Sequence, residues 1–369
     1  MKTVRRLVYG EILTAVALVL LAFLALFSFF DLIDELSGLG RPSLLQPGER
    51  YTIADALLHV ALLLPSRLYE LMPIAVLIGT VYALARLAQG SEFTVLRTSG
   101  LGPGLALRLV ALLGVLCALV TFAVGDYVAP WAERQAQLFK AQFRGGISIG
   151  QTGAWLRERA EGTHTSVNVR ALAPNGELQG IRLFVFDDRG RVQQTVRAAS
   201  GSIDAEAGVW RLRDVERQRF DDPQRTLRET LPMLDWPSTL SADMLTVALL
   251  KPERMRTLDL FHYVQHLQAN EQTTQRYEIE FWRKLFYPLS CVVMVVLALP
   301  FAYLHFRDQG LSAYVFAGIL IGISFFLVNS VFGHIGNLQG WQPWLAAAAP
   351  SALYSLLSLA AFAWLVLRR

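Results

Sequence analysis

Charged residues are scarce in this sequence. Only 17% of its 369 residues are Asp, Glu, Lys or Arg, and 53% are hydrophobic, whereas a soluble domain carries about 25% charged residues. The charges are also concentrated, because positions 130–284 hold 22 of the 34 basic and 20 of the 30 acidic residues. These proportions exclude a single water-soluble globule, a disordered chain and a coiled coil. They indicate a polar domain inserted into a membrane protein.

Cysteine is nearly absent. Cys117 and Cys291 both lie in apolar runs, so no disulfide framework is predicted for the polar segment. Like-charged blocks are absent too, and the 22 basic residues of that segment are nearly balanced by its 20 acids. Nucleic acid is therefore not an expected partner.

Catalytic motifs are also missing. The sequence has no GxxxxGK[ST] phosphate loop, no HExxH zinc helix and no GxSxG elbow. His262 and His266 could share a helix face as metal ligands, but no cysteine or third histidine is nearby, which favours a solvated face. Asp126 and Asn329 fall near the ends of apolar runs and are interpreted as interfacial groups, which argues against an intramembrane enzyme. We expect no catalytic site, metal or cofactor in this chain.

Six apolar runs are long enough to cross a bilayer, whose core of about 30 Å needs roughly 20 helical residues. They are grouped three and three around the polar segment and cover residues 8–30, 56–85, 105–129, 285–304, 311–332 and 344–367. The predicted organisation is therefore 1–129 for spans one to three, 130–272 for the inserted domain and 273–369 for spans four to six.

Lysine and arginine in the short flanks of the spans predict the orientation. Nine basic residues fall on one side of the membrane and two on the other. Because short cytoplasmic loops are enriched in Lys and Arg, both termini are predicted to be cytoplasmic and the inserted domain to lie outside the cytoplasm. The nine are Lys2, Arg5, Arg6, Arg86, Arg97, Arg108, Arg307, Arg368 and Arg369; the two are Arg41 and Arg50.

The inserted segment has the pattern of an all-β domain. Residues 166–173, 181–187 and 209–220 are rich in strand formers, and turn sequences lie between them. Several short strands spaced by turns favour a sandwich or jelly roll. A helical period then begins at residue 257, and a second helix starts near residue 273 and continues into the fourth span.

The loop between the second and third spans contains a short amphipathic helix, predicted within 88–100. Ser91 is expected to be its N-cap and Glu92 to lie in its first turn, while Phe93 and Leu96 share one face. Such a helix suits docking into a groove on a cytoplasmic partner; the alternative is a helix lying on lipid.

Several segments together resemble the LptF/LptG family of lipopolysaccharide export permeases, and the later segments favour its LptG branch. They are LPSRLYELMPIAVLIG, LARLAQGSEFTVLRTSG, Asp126-Tyr127-Val128-Ala129-Pro130, Gly208-Val209-Trp210-Arg211-Leu212, Arg276-Tyr277, Phe281-Trp282-Arg283-Lys284-Leu285-Phe286-Tyr287-Pro288-Leu289, Val331-Phe332-Gly333 and Pro350-Ser351. The resemblance covers essentially the whole chain in order.

The resemblance implies a non-catalytic subunit of an ATP-driven exporter in the bacterial inner membrane, with a periplasmic jelly-roll-like domain. The implied partners are an LptF-type permease, a dimer of LptB-type ATPases that uses ATP and Mg, an LptC-type single-span protein and a periplasmic LptA-type bridge. Lipopolysaccharide is the implied substrate. The implied contacts with the ATPase are Ser91, Glu92, Phe93, Leu96, Arg97 and Gly100.

The lipid path is also predicted from the resemblance. Acyl chains are expected against the first and fifth spans, at Phe23, Phe27, Phe30, Phe316, Ile323, Phe326 and Leu327. Headgroup phosphates call for basic residues. Lys140 and Arg144, four apart on the helix predicted to leave the third span, fit best, and Arg134 and Arg67 are the other candidates. Arg67 could instead pair with Glu70.

One departure from the family concerns the outer end of the first span, where lysines are expected. This sequence has Asp31, Asp34 and Glu35 there. Either Arg41 and Arg50 take over, or divalent cations bridge acid to phosphate, or the headgroup is held elsewhere. The alternative function is a membrane-anchored periplasmic scaffold without transport activity.

Overall fold

Six helices long and apolar enough to span a membrane run through the computed structural model. It describes residues 2–43, 49–144, 153–160, 163–173, 176–204, 207–222, 225–238, 240, 252–303 and 310–367. The candidate spans are Val4–Leu36, Ile53–Gln89, Pro103–Phe143, Gln275–Tyr303, Leu311–Gln339 and Pro343–Trp364. Each overlaps one of the predicted apolar runs, so the three-plus-three arrangement is confirmed.

The first three spans contain more helix than their apolar runs. The helices are α1 Lys2–Leu36, α2 Ile53–Gln89, α3 Glu92–Thr98, α4 Pro103–Ala123 and α5 Ala129–Arg144, with a π-helical turn at Val124–Val128. Because that turn joins α4 directly to α5, the third span is one helical segment that continues well past its apolar run.

The last three spans follow the inserted domain. Their helices are α6 Thr257–Ala269, which precedes the spans, α7 Gln275–Phe286, α8 Ser290–Ala298, α9 Leu311–Gln339 and α10 Pro343–Leu367. Short 3-10 turns lie at Pro252–Arg254, Tyr287–Leu289 and Leu299–Tyr303. The helices predicted from residues 257 and 273 are confirmed.

Small residues let the spans pack closely. A Cβ placed at Gly79 of α2 would come within 2.6 Å of the Val16 backbone, and one at Gly114 of α4 within 2.8 Å of Val292 Cα. Without a hydrophobic force between helices inside lipid, such close backbone approach is a main source of packing energy. A single core cluster takes buried residues from α1, α2, α3, α4, α8, α9 and α10.

The inserted domain is a six-stranded antiparallel sheet with the strand order β1-β2-β3-β4-β5-β6. Its strands are β1 Ala154–Ala160, β2 Thr163–Leu172, β3 Leu178–Asp187, β4 Val192–Asp204, β5 Val209–Asp222 and β6 Arg225–Pro237. The all-β prediction is confirmed, and the three predicted strands overlap β2, β3 and β5, the first of them ending one residue beyond β2. Neighbouring strands follow one another in sequence, so the described strands form a meander.

One face of the sheet carries the core of this domain. Leu178, Leu183 and Leu212 are fully buried there, and Ala141 of α5 and Leu267 of α6 belong to the same cluster. Backbone contacts divide the chain into two compact units, one comprising Met1–Ile33, Leu63–Ala132 and Glu278–Arg369, the other Asp34–Leu62 and Glu133–Tyr277. The segment Asp34–Leu62 thus groups with the inserted domain.

Candidate functional site

The inner face of α3 is anchored to the helical core. Phe93 is only 3% exposed and packs edge-on against Tyr303 with 5.3 Å between ring centroids. Arg97 lies over the same ring, 5.0 Å from its centroid, and Leu96 packs against the core as well. The face that the sequence indicated as apolar is therefore occupied within this chain.

The opposite face of α3 is open. Glu92, Thr94 and Thr98 are exposed, and Val95 is 61% exposed. The sequence interpretation did not single out Val95 or Thr94. Their position could have been found from the helical period, because residues 94, 95 and 98 lie opposite Phe93 and Leu96 at 100° per residue. A partner docking on α3 would meet this second face.

Both ends of α3 are sharply defined. Ser91 takes a left-handed conformation with φ 60°, and its side chain makes no capping hydrogen bond, so the expected side-chain cap is wrong, although Ser91 does occupy the N-cap position. At the other end Gly100 has φ +103°, which a residue with a Cβ rarely adopts. Leu101 N–H donates to the Leu96 carbonyl at 3.0 Å, closing the helix with a Schellman-type bond.

The chain thus has six candidate spans, an inserted six-stranded sheet and an anchored connecting helix. The family model for "Lipopolysaccharide export system permease LptF/LptG" matches residues 6–367. This chain belongs to the LptF/LptG family. It is a multi-pass inner-membrane protein of the permease component of lipopolysaccharide export.

Two similar proteins point to the LptG branch of the family. The lipopolysaccharide export system permease protein LptG of Escherichia coli K12 is 29% identical over 366 residues, which cover 99% of this chain and 98% of the relative. LptG of Haemophilus influenzae is 27% identical over 357 residues, which cover 95% and 96%. The resemblance found in the sequence is confirmed for nearly the whole chain.

Lys140, a predicted headgroup residue of this LptG-like chain, has an acidic partner inside the chain. Its ammonium contacts the carboxylate of Glu35, which is only 6% exposed. The Tyr51 hydroxyl donates to the other oxygen of Glu35 at 3.1 Å, and His59 Nε2 lies 3.5 Å from the first. A phosphate at Lys140 would have to compete with this carboxylate, and the headgroup role stays a prediction.

Arg67 is held in a comparable way. It donates twice to Asp31, at 2.7 and 3.0 Å, and once to Glu70 at 3.2 Å. Its guanidinium also lies 5.5 Å from the centroid of the Phe27 ring. The alternative pairing with Glu70 is confirmed, and the bidentate bond to Asp31 is the stronger of the two.

The departure at the outer end of the first span therefore has a partial explanation. Asp31 and Glu35 are neutralised by Arg67 and Lys140, which weakens the case for divalent cations at these acids. No group of three His, Cys, Asp or Glu side chains suited to a metal occurs among the residues that the structure describes.

The remaining basic candidates differ in exposure. Arg134 is exposed on α5, as are Arg41 and Arg50 in the loop that follows α1. Arg144 ends α5, and its side chain lies outside the described residues. All four keep their proposed headgroup role as a prediction.

The predicted acyl-chain residues lie on open faces of α1 and α9. Phe23 is half-buried, whereas Phe27 is 36% and Phe30 54% exposed. On α9 Phe316, Ile323, Phe326 and Leu327 are between 47% and 59% exposed. Such faces meet either lipid tails or a partner helix, so their role in a lipid cavity stays a prediction.

The interpretation of Asp126 and Asn329 as groups at helix ends is wrong. Asp126 is 8% exposed and lies in the π-helical turn inside the long third span. Asn329 lies well within α9, and its carbonyl accepts a hydrogen bond from Arg283. The apolar run alone does not show that the helix continues through Asp126. The helix predicted to leave the third span with Lys140 and Arg144 is α5, which follows the π-helical turn directly.

Proposed function

We propose that this chain is the permease half of an ATP-driven exporter, which extracts lipopolysaccharide from the inner membrane and passes it to a periplasmic bridge. The observation that carries the proposal is the architecture of α3. A seven-residue helix is fixed to the span bundle through Phe93 and leaves Glu92 and Val95 open to a partner. A helix that is rigid on one face and free on the other can transmit an external displacement into the spans.

The power must come from another protein. The chain carries no nucleotide-binding motif, so we propose that a dimer of LptB-type ATPases uses ATP and Mg and docks on α3. Glu92 and Arg97 are the proposed polar contacts, with Val95 added by the structure. Because Arg97 is already stacked on Tyr303, Glu92 is the freer of the two charges.

The orientation follows from the basic residues at the short loops. With both termini and α3 in the cytoplasm, the sheet domain lies in the periplasm. The remaining proposed partners are an LptF-type permease as the second half, an LptC-type single-span protein beside the gate, and an LptA-type bridge at the sheet.

The substrate explains the need for a continuous apolar path. Burying a CH₂ is worth about 0.8 kcal/mol, so an acyl chain of roughly a dozen carbons would cost on the order of 10 kcal/mol in water. A lipid with several such chains must move from one apolar shelter to the next. The open faces of α1 and α9 and the apolar interior of the sheet domain are the shelters that this chain offers.

The test is reconstitution of the complete complex in liposomes, with ATP hydrolysis and lipopolysaccharide release measured together. Glu92→Arg is expected to reduce both activities, because it reverses the charge on the open face of α3. Asp188→Lys is the matched control, since Asp188 is exposed in the turn between β3 and β4.

Two outcomes would contradict the proposal. Normal transport by Glu92→Arg would remove α3 as the docking helix. If the wild-type complex hydrolyses ATP normally but releases no lipopolysaccharide, the scaffold alternative is favoured.

A further inference from the structure

Four spans meet at a set of buried and half-buried polar side chains that the proposed function does not use. We call Tyr69, Asp126, Glu280, Arg283 and Lys284 the polar hub. Lys284 is 6% exposed, and Asp126 and Glu280 are each 8% exposed. Three of the sequence segments that mark the family supply these residues, except for Glu280, which directly precedes one of those segments.

Lys284 ties the fourth span to the π-helical turn of the third. Its ammonium donates to the Gly125 carbonyl at 3.3 Å, in the middle of the turn Val124–Val128. Such turns are rare, occur frequently at functional sites and are among the few causes of sharp helix bends. The bond therefore acts at the point where the third span is most easily bent.

The second span reaches the hub through Tyr69. A Cβ at Gly125 would overlap the Tyr69 ring, so the two helices touch at the same turn. Asp126, which is 8% exposed, follows Gly125 directly in this turn.

A second tyrosine reinforces this junction. The ring of Tyr287 packs 5.0 Å from that of Tyr69, and its hydroxyl donates to the Glu70 carbonyl at 2.6 Å. The second and fourth spans are thus joined both by ring packing and by a hydrogen bond.

Arg283 brings in the fifth span. It donates to Glu280 at 2.7 Å and to the Asn329 carbonyl at 2.9 Å. A Cβ at Gly333 would overlap its guanidinium, so a side chain at this position of α9 would require the end of Arg283 to shift.

Stability alone does not account for such a hub. Burying an ion costs several kcal/mol, and a well-packed apolar set is often as stable. Ionisable groups within membrane spans are by default candidates for function. The order of the helices along the chain suggests what the function is. The helices α2 and α4 flank α3, the third span continues in sequence as α5 before β1, and α7 starts the fourth span after the sheet domain.

We propose that Lys284, bonded to the π-helical turn, is a positioning residue that couples displacement of α3 to the helices leading into and out of the sheet domain. The inference rests on the proposed function. Rigid helices carry the displacement from α3 to the hub, and the hub converts it into a bend of the third span at Val124–Val128. Lys284 touches neither nucleotide nor lipid in this role.

The test compares Lys284→Met with wild type in the reconstituted complex, measuring lipopolysaccharide released per ATP hydrolysed. Loss of the ammonium is expected to lower this ratio by about tenfold, within the range known for residues that carry coupling, while the rate of ATP hydrolysis changes little. Lys284→Arg restores a donor and is expected to recover most of the ratio. Arg108→Met, which removes an exposed cation from the same third span, is the matched control and is expected to leave the ratio unchanged.

An unchanged ratio in Lys284→Met would overturn the inference and leave the proposed function intact. Failure of the wild-type complex to transport would instead overturn the proposed function. If Lys284→Met does not assemble, Arg283→Lys becomes the test of the inference. Lysine at this position keeps the charge but cannot reach Glu280 and Asn329 together. A lower ratio in that variant supports the hub, and an unchanged ratio contradicts it.

Discussion

Replacing Lys140 by methionine leaves the buried carboxylate of Glu35 without its cation. Removing one partner of a buried ion pair costs about 3–5 kcal/mol. Here the lower end applies, because the Lys140 side chain is 25% exposed and Tyr51 still donates to Glu35 at 3.1 Å. About 3 kcal/mol corresponds to a fall in Tm of roughly 6–12 °C for a domain of 150–250 residues.

The assay is a double-mutant cycle on the purified protein, with thermal unfolding followed for Lys140→Met, Glu35→Gln and the double variant. Because the double variant buries no unpaired charge, its loss is expected to be clearly smaller than the sum of the single losses. Additive losses of stability would contradict a stabilising interaction between Lys140 and Glu35.

The same variants test the headgroup role of Lys140. Glu35→Gln frees the ammonium, so crosslinking of lipopolysaccharide from a photoreactive group near position 140 is expected to increase if the phosphate competes with Glu35. An unchanged yield would confine Lys140 to a structural role.

Two further predictions concern α3 and the sheet domain. Phe93→Ala removes a buried ring and is expected to cost about 3–5 kcal/mol locally, so α3 should become protease-sensitive and transport should fall. The exposed Thr94→Ala should leave α3 protease-resistant, and an intact α3 in Phe93→Ala would contradict the anchor. Burial lowers the pKa of His266. The contribution of its neutral imidazole to folding stability is therefore complete above about pH 6.5 and is lost as the pH falls. His266→Gln should flatten the pH dependence of the free energy of unfolding below about pH 6.5, and an unaltered slope would contradict this.

The spans were predictable because bilayer thickness imposes a length of apolar helix that few other structures need. Bilayer thickness sets no such length for the polar continuation of the third span. The spacing of Lys140 and Arg144 predicts a helix leaving that span, and α5 contains both residues. The apolar run alone placed Asp126 at a helix end, whereas the helix continues through it.

The sheet shows a similar limit. The strands β2, β3 and β5 have dense β-branched or aromatic residues beside clear turns. The strands β1, β4 and β6 were missed, because they take their place from pairing with neighbours, and strand propensity depends strongly on context.

The candidate site was predictable only in part. The position and length of α3 follow from the glycines around it, but which face stays open does not, since Phe93 is buried by Tyr303, more than 200 residues away in the sequence. The pairs formed by Glu35 with Lys140 and by Asp31 with Arg67 also join residues distant in sequence. Local patterns contain no information on such partners.

Labelling of introduced cysteines tests the orientation on which the whole account depends. Cys117 and Cys291 are both buried, so Asp188→Cys in the sheet domain and Thr98→Cys on α3 can be read against a low background. In intact spheroplasts a membrane-impermeant maleimide should label position 188 at once and position 98 only after permeabilisation. Labelling of position 98 in the intact spheroplasts, with position 188 protected, would contradict the account.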